Sequence, residues 1–242
     1  MLELKHVSFQ VEENGREKKI VDDVSLVLPD NEFIAVTGPN GGGKSTMAKL
    51  IAGIEKPSSG TILFDGQDIT RMSVTDRARL GIGYAFQQPV RFRGIKVLDL
   101  IRIASGNDKL TVAEGCEYLS SVGLCARDYI SREVNASLSG GELKRIEIAT
   151  VLARKTRLTI FDEPEAGIDL WSFKNLIQVF QNLREKIHGT ILIISHQERI
   201  LNIADEIFVL SDGKLKQSGK KEEVLPGLLG TGDAFQACDR FE

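Results

Sequence analysis

Hydrophobic and polar positions alternate at the start of this chain, give way to a glycine-rich loop, turn helical in the middle, and alternate again towards the end. Leu2, Leu4 and Val7 alternate with polar neighbours, as do Val24, Leu26 and Leu28, which predicts strands within residues 2–36. The charged run between them, Glu12–Lys19, reads as a solvated turn. Phe33–Thr37 is a short apolar strand that runs straight into glycines; behind it Met47, Leu50 and Ile51 recur at helical spacing, with Gly53 as a stop. Residues 62–69 predict a hairpin turning on Asp65-Gly66. From 87 to about 150 the strand-like runs disappear, and segments 95–105 and 111–123 carry apolar residues at roughly helical intervals, as in a mostly helical insertion. The later pattern predicts a strand at 158–162, a helix around 170–186, a strand at 190–195, a short helix near 197–203 and a strand at 206–210. Strands alternating with helices imply an α/β fold whose mostly parallel sheet is covered on both faces. One domain is expected over 1–242, with 1–86 and 151–242 forming a core that includes an N-terminal antiparallel β subdomain, and 87–150 forming a helical subdomain.

Composition narrows the class without naming a reaction. At 242 residues, with 42% hydrophobic and 27% charged positions, the chain can bury a substantial core. A formal charge of −3 argues against a general nucleic-acid binder, so no nucleic-acid partner is expected. No apolar run approaches the roughly eighteen residues of a membrane span, and the N-terminus lacks a signal-peptide pattern, so a cytoplasmic protein without direct membrane insertion is expected. Cys116, Cys125 and Cys238 show no C-x-x-C spacing and read as reduced packing thiols.

Chemistry enters with the loop after the third strand. Gly38-Pro39-Asn40-Gly41-Gly42-Gly43-Lys44-Ser45-Thr46 fits G-x-x-x-x-G-K-[ST], in the strand–loop–helix context that pattern requires. Bare backbone N–H groups can cradle phosphate oxygens, Lys44 supplies a compact positive charge, and the Ser45 hydroxyl can ligate Mg²⁺. Two further apolar strands end on polar candidates, Asp162-Glu163 and Ser195-His196. In open parallel sheets ligands gather at the carboxyl ends of strands, so all three ends are expected to form one site. There Asp162 would hold Mg²⁺ through water and Glu163 would polarise an attacking water. Ser139 and Glu142, three apart before an apolar-periodic segment, match a capping box; Gly140 and Gly141 between them leave N–H groups free for an anion.

Taken in order, GPNGGGKST, AFQQP, LSGGE, FDEP, AGID and SH resemble the ABC-type ATPase family over nearly the whole chain. The resemblance implies the P-loop NTPase (RecA-like) core with antiparallel β subdomain and helical insertion, and Mg²⁺-dependent hydrolysis of ATP. It also makes Gln87 the Q-loop residue sensing Mg²⁺ and the partner, Ser139–Glu142 the signature, Asp169 part of the D-loop and His196 the switch histidine at the γ-phosphate. One copy of each motif implies an ATP-dependent head-to-tail dimer, each signature closing over the other chain's P-loop. His6 and His188 carry no such implication.

Within the family, Ala85–Ile95, Ser139–Arg145 and His196–Leu201 are similar to SufC, the ATPase subunit of iron–sulfur cluster assembly. So is the apparent lack of an adenine-stacking aromatic, the expected place holding Val11 with Phe9 nearby. Against SufC stand Glu165-Ala-Gly-Ile-Asp169 and the Leu138 that opens the signature. The resemblance therefore implies a SufB/SufD-like scaffold as partner, with the membrane permease subunits of a transporter as the alternative. A DNA-repair or chromosome-organising ATPase is set aside, since residues 47–137 are too few for its long coiled coil and lack heptads. Two local expectations complete the reading. Lys144 is expected to pair with Glu163, and Arg91, Arg93 and Lys96 to form a solvated or partner-facing patch, the solvated reading being favoured.

Overall fold

The computed structural model describes residues 1–13, 15–135, 137–186 and 189–230; His188, Cys238 and the segment from 231 onward lie outside the described residues. In chain order the elements are β1 (Leu2–Glu13), β2 (Arg16–Leu28), β3 (Phe33–Thr37), α1 (Lys44–Ala52), β4 (Ser59–Phe64), β5 (Gln67–Asp68), α2 (Val74–Arg79), β6 (Ile82–Ala85), α3 (Val97–Ser105), α4 (Val112–Ser121), α5 (Ala126–Tyr129) and α6 (Gly140–Arg154). They continue as β7 (Leu158–Asp162), α7 (Leu170–Lys186), β8 (Thr190–Ile194), α8 (Glu198–Leu201), β9 (Glu206–Ser211), β10 (Lys214–Lys220) and α9 (Lys221–Gly230).

Two sheets result. The first is antiparallel, in the order β2-β1-β4-β5, and the second runs β10-β9-β3-β8-β7-β6 with every neighbouring pair parallel except the β10–β9 edge. Along the parallel strands, successive side chains enter different cores. Phe33, Ala35, Phe161, Ile191 and Ile193 face the helices, whereas Ile34, Val36, Ile160, Leu192 and Ile194 face α1 and the antiparallel sheet. Burial of both faces is why these strands read as continuous apolar runs rather than alternating ones. Between Ala85 and β7 lie only helices α3–α6 and connecting segments among the described residues. The architecture is the expected one, a mostly parallel α/β core with an antiparallel β subdomain and a helical insertion.

The Asp65-Gly66 hairpin is present, with both residues at positive φ (50° and 78°) as a two-residue type I′ connection demands. Glu12–Lys19 differs from expectation. Val11 pairs with Lys18 and Glu12 with Glu17, so the ladder continues to a tight turn near Gly15, and the charges decorate paired strands. Backbone pairing here extends past the buried face that the alternation reports. Elements α2, β6, β10 and α9 were not anticipated. β6 is four residues with a glycine inside, and it is a strand because it pairs with β7; a Cβ on Gly83 would lie 2.8 Å from the Thr156 methyl.

One buried cation secures the helix behind the glycine loop. Arg77, at 0% exposure, donates to the carbonyls of Leu50 (2.6 Å), Ile51 (2.8 Å) and Thr70 (3.0 Å). It thereby joins the Gly53 N–H on the Leu50 carbonyl and reaches the Ile51 carbonyl at the end of α1, and its positive charge suits that helix terminus.

Candidate functional site

The glycine loop is shaped by backbone on every side. Gly38 leaves β3 at φ 129°, and a Cβ there would lie 1.8 Å from the Leu210 carbonyl oxygen; a Cβ on Gly43 would lie 2.5 Å from that of Ile20. No side chain fits at either position, so the loop closes only with glycine. Pro39 is half-buried, Asn40 and Gly41 form the exposed crest, Gly42, Gly43 and Lys44 are buried, and Ser45 and Thr46 open α1 partly exposed. The Lys44 ammonium donates to the carbonyls of Gly38 and Pro39, both at 2.8 Å. Burial lowers its pKa, while the nearby Glu163 and Asp162 carboxylates act against that fall.

Strand β7 is buried throughout and delivers Asp162 to the same place. Ser45 Oγ donates to Asp162 Oδ1 at 2.8 Å, and Tyr84 on β6 donates to Oδ2 at 2.6 Å. Burial and then the Asp162 hydrogen bond raise the Tyr84 phenol far above its ordinary value, so it stays a donor. Ser45 and Asp162 form a small all-oxygen set, suited to Mg²⁺ shared with phosphates rather than caged by protein. Among the described residues no cluster of three or more His, Cys, Asp or Glu offers such a cage. The residues present therefore fit Mg²⁺ arriving with a nucleotide.

Glu163 follows directly, at φ 43°, an unfavourable backbone region for a side-chain-bearing residue that tends to persist at functional positions. Its N–H donates to the last carbonyl of β8, Ile194, at 3.0 Å. Gln87 Nε2 donates to Glu163 Oε2 at 2.7 Å, and His196 Nε2 lies 3.8 Å from Oε1. Burial first, and then the Lys44 charge, push the His196 imidazole below its usual pKa, with Glu163 opposing. Gln87, Glu163 and His196 thus meet the P-loop and Asp162 in one crevice, with the Gln87 amide on Glu163 rather than on the Ser45–Asp162 pair.

Two groups that sequence reasoning passed over also shape the site. Tyr84 was missed because β6 was missed. Glu165 accepts a hydrogen bond from Ser195 Oγ, which in turn accepts from the Gln197 N–H at 3.0 Å, so Glu165 braces the turn that carries His196. Tyr84→Phe is expected to raise the Mg²⁺ concentration needed for half-maximal hydrolysis by about 10- to 100-fold, the loss of one hydrogen bond to a charged group. An Mg²⁺ titration at saturating ATP checks it.

The signature residues stand apart. Ser139 caps α6, accepting from the Glu142 N–H at 3.3 Å, while Glu142 accepts from the Ser139 N–H at 2.7 Å and from the Tyr129 hydroxyl. Among the described residues no hydrogen bond joins Ser139–Glu142 to the 38–46 loop. Gly140 lies instead against the turn after Glu163, where its Cβ would be 3.5 Å from the Gly167 carbonyl oxygen. Asp169 is exposed just ahead of α7. Val11 is half-exposed on β1, and the Phe9 ring packs on the core. Arg91, Arg93 and Lys96 are exposed. Lys144 does not pair with Glu163. It is buried on the far side of the Q-loop, donating to Glu147 at 2.8 Å and to the Phe86 carbonyl at 2.6 Å. The Lys144 side chain ends at Phe86, just past β6, and not at the end of β7, and the spacing of motifs along the chain could not show that.

Residues 21–166 match the protein family described as ABC transporter. An uncharacterized ABC transporter ATP-binding protein of Methanocaldococcus jannaschii is 40% identical over 214 residues, which cover 86% of this chain and 85% of that protein. The lipopolysaccharide export system ATP-binding protein LptB of Haemophilus influenzae is 30% identical over 212 residues, 87% of this chain and 88% of that one. An ATP-binding cassette solved as a dimer in a post-hydrolysis state, with ADP and phosphate bound, shares the fold at a TM-score of 0.80. It is 23% identical, over 91% of this chain and 99% of that one.

Proposed function

The chain belongs to the ABC transporter family of ATPases, and from that membership we propose that it is the ATP-hydrolysing subunit of a membrane transporter. As a member it binds ATP with Mg²⁺ and hydrolyses it. What supports the transporter assignment is that relatives matching over most of their own length are named for transport. None of these is named for iron–sulfur assembly, so the SufC-like expectation gains no support from them.

In this reading the loop from Gly38 to Thr46, with Lys44 at its centre, binds the triphosphate. Ser45 and Asp162 would hold Mg²⁺, with Gln87 as a further candidate ligand; when bound, the ion would neutralise charge on the phosphate oxygens. Glu163 accepts the proton of the attacking water, held in orientation by Gln87, and His196 reaches the γ-phosphate. Ser139–Glu142 and Asp169 act on the nucleotide of a second chain. The separation of the signature from its own P-loop supports a head-to-tail dimer formed when ATP is bound, because one chain leaves the open side of the triphosphate uncovered.

The work is delivered beside Gln87. An apolar groove of about 410 Å³ is lined by Phe86, Val90, Phe92, Leu100, Ile103 and Val134, with Phe86, Val90 and Ile103 exposed by 44, 48 and 65%. Apolar side chains so exposed in one patch mark a contact surface. We place a segment of the permease there, and the exposed Arg91 and Arg93 beside it suit a partly acidic partner.

A second reading, coupling to a soluble SufB/SufD-like scaffold, is favoured by the Ala85–Ile95 segment and by Val11 where a stacking aromatic is absent. Affinity purification from native cells in mild detergent separates the two. Integral membrane subunits are expected to co-purify. Recovery of a soluble scaffold without them would overturn the transporter assignment in favour of the second reading.

A further inference from the structure

Phe86 sits where three parts of the molecule meet. Its ring lines the apolar groove and packs edge-on against Tyr84, with centroids 4.9 Å apart and planes at 70°. Tyr84 holds Asp162, and the next residue along the chain, Gln87, holds Glu163. The peptide groups of Phe86 itself are held by one pair on α6. Its carbonyl accepts from Lys144 Nζ at 2.6 Å, and its N–H donates to Glu147 Oε1 at 3.2 Å. Lys144 and Glu147 complete the triangle at 2.8 Å, with side chains only 1% and 16% exposed.

Helix stability does not account for this pair. Lysine one turn N-terminal to glutamate is the weaker order for an intrahelical ion pair. Burying both charges also costs desolvation that their attraction seldom exceeds. Burial pushes the Glu147 carboxyl up, opposed chiefly by Lys144 and then by the Phe86 N–H. What the pair gains by being buried is that both polar groups of the Phe86 backbone, which among the described residues bond to no neighbouring strand, end on α6. An exposed ion pair could not hold a peptide so firmly, because water would compete for both of its groups.

We infer that Lys144 and Glu147 are positioning residues. By clamping the Phe86 peptide to the signature helix, they set Gln87 against Glu163 and make the groove, the Q-loop and α6 move as one body. Displacement of Phe86 by a groove occupant then reaches both carboxylates of the site. The inference rests on the role of Gln87 in the reading above and adds to it the element that aims Gln87.

The test is Lys144→Met/Glu147→Met, which removes the clamp and leaves no unpaired buried charge, assayed for ATP turnover and for deuterium uptake in peptides covering 85–90. Uptake at Phe86 is expected to rise, and kcat to fall about 10- to 100-fold, the cost of misplacing a catalytic group, with the KM for ATP within about twofold. In a Gln87→Ala background the same double change is expected to lower kcat no further. A fall that persists undiminished without Gln87, or an unchanged kcat despite raised uptake, would overturn the inference. Gln87→Ala turning over like the parent would instead remove Gln87 from its role in the reading above, and the clamp's purpose with it. Glu147→Gln keeps an acceptor for the Phe86 N–H and is expected within about threefold of the parent, whereas the shorter Lys144→Gln falls further. That ranking decides the matter if the double variant melts below assay temperature, and a reversed or flat ranking would then count against the clamp.

Discussion

Glu163→Gln is expected to bind ATP normally and to lose turnover by about 10²–10⁴-fold, the usual worth of a positioned general base. Glutamine has the same shape, and its oxygen can still accept from the Gln87 amide that now meets Glu163 Oε2 at 2.7 Å. Its amide nitrogen can take the place of Oε1 facing His196, whose lowered pKa leaves a neutral ring able to accept. The strained backbone at φ 43° is unchanged by the substitution. Only the capacity to take a proton disappears. Single-turnover hydrolysis and nucleotide binding measured on the same preparation separate the effects, and an ATP-stabilised dimer is expected to accumulate in size-exclusion chromatography. Hydrolysis near the parent rate would take Glu163 out of the mechanism.

Lys44→Ala is expected to weaken ATP binding itself, by about 10²–10⁴-fold if two charge-assisted hydrogen bonds to phosphate are lost. The ammonium is buried at the mouth of the glycine loop, and its only hydrogen-bond partners among the described residues are the Gly38 and Pro39 carbonyls at 2.8 Å. Those bonds are readily exchanged for phosphate oxygens, since a neutral carbonyl competes poorly with an anion for an ammonium. The Asp162 and Glu163 carboxylates nearby would lose the Lys44 charge that offsets them, so an incoming triphosphate would meet less compensated negative charge. Calorimetric titration with a non-hydrolysable ATP analogue measures the loss, and an unchanged melting temperature shows that the fold is intact. Affinity within threefold of the parent would mean that the loop N–H groups carry the binding without the lysine.

These two effects differ in kind because the residues act at different stages. In the proposed function Lys44 contributes to binding in the ground state, so its loss would be read in affinity. Glu163 there contributes where charge and protons move, so its loss would be read in rate. The Tyr84 and Lys144–Glu147 variants belong to a smaller class, since those residues act on the carboxylates and on Gln87 through one intervening bond.

Much of this architecture was legible before any coordinates. Short apolar segments at 33–37, 158–162 and 190–194 read as strands, and strands alternating with helices come in parallel sheets covered on both faces, with their ligand-bearing ends together. Spacing in the glycine loop and the Ser139–Glu142 box reported short-range geometry, which the chain fixes within a turn or two. The hairpin at Asp65-Gly66 was readable for the same reason. What escaped was structure that exists only in contact with something distant. β6 has too few residues and too little pattern to declare itself, and it forms because β7 offers it a ladder. Tyr84 was invisible along with it. The polar edge strand β10 takes its form from β9 in the same way.

Lys144 shows where the boundary lies. The residues around it suggest a charged group near the signature, and its sequence neighbours left Glu163 open as a partner. In the folded chain the turn of α6 on which it lies faces the Q-loop, and its ammonium ends on Phe86 and Glu147. The sequence by itself pointed to the family, the alternation of strands and helices, and the candidates for handling phosphate, metal and water, because each rests on motifs of local spacing or on which faces must be buried. Only the tertiary structure decided which of those residues share a crevice, that the signature stands away from its own P-loop, and that a buried ion pair ties α6 to the Phe86 backbone beside Gln87. The direction in which a side chain leaves its helix depends on packing against elements far away in the chain, and no local pattern carries that.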